Sequence, residues 1–302
     1  MPLTSVPADL PRLPPRDRHT SKRDYGRVLV VGGAAGMAGA PALSALAALR
    51  SGAGLVELVV PDSVVAIAAG FDPCVMTRGL AADADGGFSN AALATILERA
   101  AGADAVAVGP GIGRSAATQQ IVLALWEQLR QPAVFDADAL WALAQVDRQR
   151  LARHAGPRVL TPHAGEMQRL LGRQSPGEGV PDARAMLEAA AAALAEAIDA
   201  VIVLKGPATC IVGAGQLLHN ETGNPGMATA GAGDVLTGVV AALLCQWIGG
   251  ALLEPRAAAR LAAWVHGHAG DIAAQRFGEI SLIARDILEA LPEAFKAVVQ
   301  TG

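Results

Sequence analysis

Small residues converge on a single acid in GNPGMATAGAGDVLTGVVAALL, residues 223–244. Gly231, Ala232 and Gly233 head a long apolar run of helical composition. At the N-terminus of such a helix their backbone N–H groups, with that of Asp234, could cradle a transferring phosphoryl group as an anion hole. Asp234 is then placed to orient an attacking hydroxyl and take its proton, because phosphoryl transfer needs positioning and charge stabilisation more than covalent chemistry. Capping alone would account for an acid at a helix start. It requires neither the glycine spacing nor the second small-residue cluster at 223–226, where Asn224 is a candidate for shaping the phosphate region.

The other chemistry-bearing residues follow apolar runs. Lysine occurs only at Lys22, Lys205 and Lys296. Lys205 ends VIVLK and precedes Gly206, which sets a cation where a bound phosphate would lie; a lysine snorkelling at a strand rim is the plainer alternative. LTPHAGE, residues 160–166, puts His163 and Glu166 around a helix start. Glu166 is either a first-turn acid favoured by the helix dipole or a distant participant in magnesium binding. In VFDADAL, residues 134–140, Asp136 stands at a strand end facing a pocket, and Asp138 is assigned first to capping, a role that stabilises a helix by about 1 kcal/mol. GGAAGMAGA (32–40) and VGPGIG (108–113) are turns whose glycines admit close approach of backbone to ligand. The first lacks GxGxxG spacing and GxxxxGK[ST] occurs nowhere, so the two common nucleotide fingerprints are absent. His266 and His268 read as packing or surface residues of a helix.

These residues need a scaffold that gathers strand ends. Short β-branched runs alternate with alanine-rich helical stretches from Gly26 onward, the pattern of a mostly parallel α/β sheet. Strands are predicted at 28–31, 55–60, 105–109, 133–136, 158–161 and 201–205. TCIVG and QLLH, separated by Ala214 and Gly215, predict a hairpin that appends an antiparallel edge. Helices are predicted at 235–247, 255–274 and 282–291, and another around the alanine tract 189–193, with Met186, Leu187, Leu194 and Ile198 on its packed face. In open sheets of this kind ligands bind beyond the carboxyl ends of the strands, where these candidate residues fall.

Composition narrows the function. Of 302 residues, 52% are apolar and 17% charged, which favours a large core over disorder. A net charge of -4 without a basic stripe argues against nucleic acid or an anionic membrane as partner. Two uncharged stretches, 28–49 and 235–253, are interrupted by glycine and read as buried elements rather than membrane spans. Cys74, Cys210 and Cys245 lack CxxC spacing, so neither a disulfide framework nor a thiolate zinc site is indicated, and a reducing cytoplasm fits. Residues 1–24 are rich in proline and charge and read as an arm; 25–302 contain no linker long enough to divide them and read as one domain.

The GAGD segment that opens a C-terminal helix, after a lysine–glycine strand end, resembles the ribokinase-like superfamily. VLVVGGAAGMAGA, VGPGIG, DADAL, LTPHAGEM, VLKGPAT and GNPGMATAGAGDVLTG, in this order, look like the NAD(P)H-hydrate dehydratase family. The resemblance implies a three-layer α/β/α sandwich and an ADP- or ATP-driven, magnesium-assisted dehydration of the S epimer of NADH hydrate or NADPH hydrate. It implies that Ala40, Gly113, His163 and Asp234 contact the hydrated dinucleotide. Lys205, Gly206, Pro207, Ala208, Thr209 and Gly233 would contact the adenosine nucleotide, with Asp234 as the base. It further implies a separate epimerase as functional partner and a homotetramer. Ala34 and Ala232 depart from serines common in similar proteins, so phosphate contacts there would fall to backbone N–H groups. The competing reading is a ribokinase-like kinase of a vitamin precursor; a nucleotide-binding sensor without turnover is a third, against which the intact Asp234 argues.

Overall fold

The computed structural model describes residues 3–172, 183–248 and 250–300. Nine strands form one sheet: β1 (Arg27–Val31), β2 (Leu55–Pro61), β3 (Met76–Leu80), β4 (Ala105–Val108), β5 (Ala133–Phe135), β6 (Arg158–Leu160), β7 (Val201–Leu204), β8 (Cys210–Gly213) and β9 (Gln216–His219). Their order is β3-β2-β1-β4-β5-β6-β7-β8-β9. Every pairing from β3 to β7 is parallel, and β7-β8-β9 are antiparallel. The antiparallel edge expected from the sequence is therefore present. Its turn uses Ala214 and Gly215 at φ +49° and +71°, the pair of positive φ angles that lets a two-residue hairpin match the strand twist.

The helices are α1 (Gly39–Arg50), α2 (Val65–Ala69), α3 (Leu93–Ala101), α4 (Ala116–Gln128), α5 (Asp138–Leu143), α6 (Arg148–Leu151), α7 (Ala164–Leu170), α8 (Ala183–Ala197), α9 (Ala232–Leu244), α10 (Pro255–Phe277) and α11 (Ala284–Lys296). Alternation along β1 shows how they divide. Val28 and Val30 pack with α1, α9, α10 and α11, whereas Leu29 and Val31 pack with α3, α4, α5, α7 and α8. Both faces of the sheet are covered, which is why its central strands read as unbroken apolar runs. The three layers are helices, sheet and helices, as the resemblance implies.

Several expectations need correction. β3 was not foreseen, because an edge strand with Met76 exposed and Gly79 inside it carries no apolar run. The helix expected to reach Trp247 ends at Leu244, and Trp247–Ile248 pairs instead with Ala251–Leu252 as a small hairpin, β10 and β11. Met186 points to solvent; the packed face of α8 runs through Ala191, Leu194 and Ala195. Residues 3–24 lie along the body: Leu10 is buried in its core, and Leu13 forms a parallel bridge with Val299. Among the described residues no helix is long and apolar enough to cross a membrane.

Candidate active site

The strand order reverses between β1 and β4, and ligand crevices form at such a point. The loops after these two strands meet there backbone to backbone. The Gly33 N–H donates to the Pro110 carbonyl at 3.0 Å, and a Cβ at Gly32 would lie 2.4 Å from that same oxygen. Gly109, Gly111 and Gly113 have φ of +123°, +59° and +84°, so their alternate spacing is a backbone requirement of this loop. Gly111 packs on the start of α1, where a Cβ would stand 3.4 Å from Ala40 Cβ. The cap expected at Asp138 is not there. The N-cap position is Ala137, at φ +52°, and the Asp138 carboxylate instead accepts from the Gly113 N–H (3.2 Å) and from Arg114 Nε (2.7 Å). Asp138 thus ties the β4 loop to the end of β5.

One ammonium and three carboxylates make up the charged centre. Lys205 Nζ, at the end of β7, lies 2.7 Å from Asp136 Oδ1 and 3.8 Å from Glu166 Oε2. The second Asp136 oxygen accepts from Thr237 Oγ1 at 2.7 Å. A Cβ at Gly233 would lie 3.2 Å from Lys205 Nζ, so glycine lets the start of α9 come down onto the lysine. Burial opposes the charged form of Lys205, but Asp136, Glu166 and Asp234 outweigh it and hold its pKa above the ordinary value. Burial raises the Glu166 carboxyl; Lys205 counters it in part.

Asp234 is the third residue of α9. Burial, reinforced by the Asp136 charge, raises its carboxyl to about 7, against the pull of Lys205. A base poised near neutrality is what proton transfer at ordinary pH asks for. Gly231, at φ +89°, precedes the helix, and no side chain caps its first turn; the Ala232 N–H donates to the Thr229 carbonyl at 3.4 Å, which leaves the N–H groups of Gly233 and Asp234 for an anion. Two neighbours hold this turn in place. Ser44 Oγ donates to the Asp234 carbonyl at 2.7 Å, and His266 Nε2 lies 2.9 Å from the Ala232 carbonyl. Burial drives the His266 pKa down to about 4, so the ring is a neutral donor. Neither Ser44 nor Thr237 was singled out from the sequence, and His266 was read as packing. A polar Thr237 one turn after Gly233 on an otherwise apolar helix is the signal that could have found it.

His163 caps α7. Its Nδ1 accepts from the N–H groups of Gly165 (3.0 Å) and Glu166 (3.3 Å), while Glu166 Oε2 accepts from the His163 N–H at 2.8 Å. The proton of the neutral ring is therefore on Nε2, and the side chain remains 55% exposed, able to meet a ligand. Asn224 shapes its turn by accepting from the Gly226 N–H and donating to Asp271. In the 205–209 loop, Gly206, Pro207 and Ala208 are exposed, and Thr209 Oγ1 donates to the Gly206 carbonyl at 3.1 Å. Ala34 and Ala232 are both buried, and a Cβ at Gly113 would lie 3.5 Å from Ala34 Cβ. Among the described residues, Glu188, Cys210 and His219 bring metal-ligating atoms within 4.8 Å of one another. Both Glu188 oxygens are already engaged there, by Arg184 and His219.

Sheet order and helix start together define the ribokinase-like class. A crystal structure of a ribokinase-like superfamily protein from Enterococcus faecalis V583 aligns with a TM-score of 0.76 at 27% identity, covering 96% of this chain and 93% of that one. Within this class the chain belongs to the NAD(P)H-hydrate dehydratase family, whose model matches residues 28–293. It is 46% identical over 282 residues to the bifunctional NAD(P)H-hydrate repair enzyme Nnr of Moorella thermoacetica, covering 93% of this chain and 51% of that protein. The Bacillus subtilis ADP/ATP-dependent NAD(P)H-hydrate dehydratase, co-crystallized with ATP/Mg2+, aligns with a TM-score of 0.75 at 28% identity over 96% of this chain and 99% of that one. The chain spans about half the length of the curated relatives it matches.

Proposed function

We propose that this chain dehydrates the S epimer of NADH hydrate or NADPH hydrate back to the reduced dinucleotide, driven by ADP or ATP. The observation that carries this reading is the Asp234 carboxylate, held near 7 at the uncapped start of α9, with Lys205 across from it. Asp234 takes the proton of the hydroxyl on carbon six of the nicotinamide ring, and that oxygen attacks the terminal phosphoryl group, whose bond to the rest of the nucleotide breaks. The backbone N–H groups of Gly231, Gly233 and Asp234, with Lys205, take the charge that develops on the phosphoryl oxygens. Phosphate is a far better leaving group than hydroxide. The ring nitrogen pushes electrons as the carbon–oxygen bond breaks, and loss of a proton from carbon five restores the double bond.

Ala40, Gly113, His163 and Asp234 are assigned to the hydrated dinucleotide, and residues 205–209 with Gly233 to the adenosine nucleotide. Asn224 shapes the phosphate region. Lys205 and Thr237 already engage both Asp136 oxygens, so Glu166 is the carboxylate left to face a magnesium ion brought by the nucleotide. Bound there, it would neutralise phosphate charge. In this reading 25–302 form one dehydratase domain with residues 3–24 packed along it, the protein works in the cytoplasm as a homotetramer, and an epimerase activity supplies the S epimer.

The test is recovery of reduced-nicotinamide absorbance from S-configured NADH hydrate with magnesium and either ADP or ATP. Recovery with stoichiometric inorganic phosphate is expected; a stable phosphoester would identify a kinase instead.

A further inference from the structure

A brace of side chains lies behind the loop that joins β7 to β8. Arg184, in the first turn of α8, donates from Nη1 to the Lys205 carbonyl (3.3 Å) and from Nη2 to the carbonyls of Leu204 and Ala208 (3.2 Å each). Its Nε donates to Glu188 Oε1 at 2.7 Å, one turn further along the helix. Glu188 is held in turn, with Oε2 3.0 Å from Nε2 of His219 on β9. Burial pushes the Glu188 carboxyl up, and the hydrogen bonds from His219 and Arg184 outweigh it and hold the group below its usual range. The guanidinium thus has all its nitrogens committed.

Peptide planarity makes this consequential. In a trans peptide C=O and N–H point to opposite sides, and no cis bond occurs among the described residues. With the carbonyls of Lys205 and Ala208 turned onto Arg184, the N–H groups of Gly206 and Thr209 turn away from it. Leu204 displays the same rule: its carbonyl meets Arg184, and the next N–H, that of Lys205, reaches the Pro162 carbonyl at 2.8 Å. The loop does not favour this shape unaided. Ala208 sits at φ +49° and Gly206 at φ +137°, and a non-glycine residue in the left-handed region costs about 1 kcal/mol or more.

We infer that Arg184, oriented by Glu188 and His219, is a positioning residue that pre-forms the 205–209 loop with the N–H groups of Gly206 and Thr209 facing the adenosine nucleotide. The inference rests on the reading that this loop contacts the nucleotide. A preformed loop binds in full, whereas a loop competent for a fraction of the time loses affinity by that fraction. Lysine cannot replace Arg184, since one ammonium cannot span three carbonyls and a carboxylate in a plane. None of the residues assigned to the hydrated dinucleotide is a hydrogen-bond partner of the brace among the described residues, so the effect is expected to fall on one substrate.

The experiment uses the full chain carrying Arg184→Met, Arg184→Lys or Glu188→Gln. ADP and ATP binding are measured by calorimetry, KM for nucleotide and for hydrate by steady-state kinetics, and loop order by amide hydrogen exchange. Both Arg184 variants are expected to raise the nucleotide Kd and KM about tenfold, with the hydrate KM within about twofold and faster exchange at Gly206, Ala208 and Thr209. Glu188→Gln, which keeps an acceptor for Nε, is expected to give a rise of about threefold. A folded variant that binds nucleotide as the wild type does overturns the inference. So does a lowered thermal midpoint with unchanged nucleotide affinity, or an equal loss for both substrates. If Arg184→Met does not fold, Glu188→Gln decides by the same readouts. Wild-type protein that binds neither ADP nor ATP removes the nucleotide reading itself, and the inference with it; normal binding in wild type and variants alike removes the inference alone.

Discussion

Asp234 and Lys205 set each other's protonation, and pH is the variable that exposes it. A base must be deprotonated to act, so kcat/KM is expected to rise with pH through about 7. Asp234→Asn should abolish that limb and lower turnover about a hundredfold to ten-thousandfold, read from initial rates across pH 5.5 to about 9. Stability should move the other way. The folded pKa lies above the ordinary value of 3.8, so the native state binds the proton more tightly, and stability falls as pH rises from about 4 through 7. Above that range Asp234→Asn is expected to be more stable than the wild type by about 1–3 kcal/mol, the gap closing as pH falls toward 4 in urea titrations. Lys205→Met removes the one charge that pulls the Asp234 pKa down, so the rising limb should shift to higher pH. A limb that stays in place would show that Asp234 is not the titrating group.

Helix α9 can present its first turn to a ligand only because α1 lets it come close. A Cβ at Gly238 would lie 2.1 Å from the Ser44 carbonyl oxygen and 2.7 Å from Ala47 Cβ. In an exposed helix, glycine to alanine stabilises by about 1 kcal/mol. Here the sign reverses, and Gly238→Ala is expected to cost about 2–4 kcal/mol by chemical denaturation while loosening the Ser44 bond to the Asp234 carbonyl. Unchanged stability would mean that the two helices separate freely. At this scale the sequence was readable where burial is two-sided: the strand runs, the β8–β9 turn and the start of α9 fall where composition and glycine placed them. β3 escaped because a half-exposed edge segment, MTRGL, carries mixed residues with no period, and the β10–β11 hairpin because Trp247, Ile248, Ala251 and Leu252 continue the apolar run of α9. Asp138 was misread because an acid that caps a helix and one that receives a neighbouring loop look alike in sequence.

Across the molecule, the two ends of the chain close on each other. The Leu13 N–H donates to the Val298 carbonyl and the Gln300 N–H to the Leu13 carbonyl, both at 2.9 Å, and Arg12 donates to the Ala297 carbonyl. Leu10 is only 3% exposed, which makes residues 3–24 part of the body on the α11 side. Leu10→Ala is expected to destabilise the protein by about 2–4 kcal/mol, measured in urea, with kcat within about twofold. A loss of turnover at full stability would instead tie this segment to the site.

The sequence by itself determined the class of chemistry and the kind of scaffold. Strands buried on both faces must be apolar runs, and a backbone that approaches phosphate or another backbone must use glycine, so both leave local marks. Tertiary structure decided how the residues act together. Asp136 meets Lys205 across 69 positions and Thr237 across 101, distances no local pattern spans. The pKa of Asp234 is a sum over burial and the charges of Asp136, Lys205, Glu166 and Asp138, brought in by separate elements. Electrostatic energy depends on separation in space and on exclusion of water, and neither exists until the sheet has gathered its strand ends at one edge.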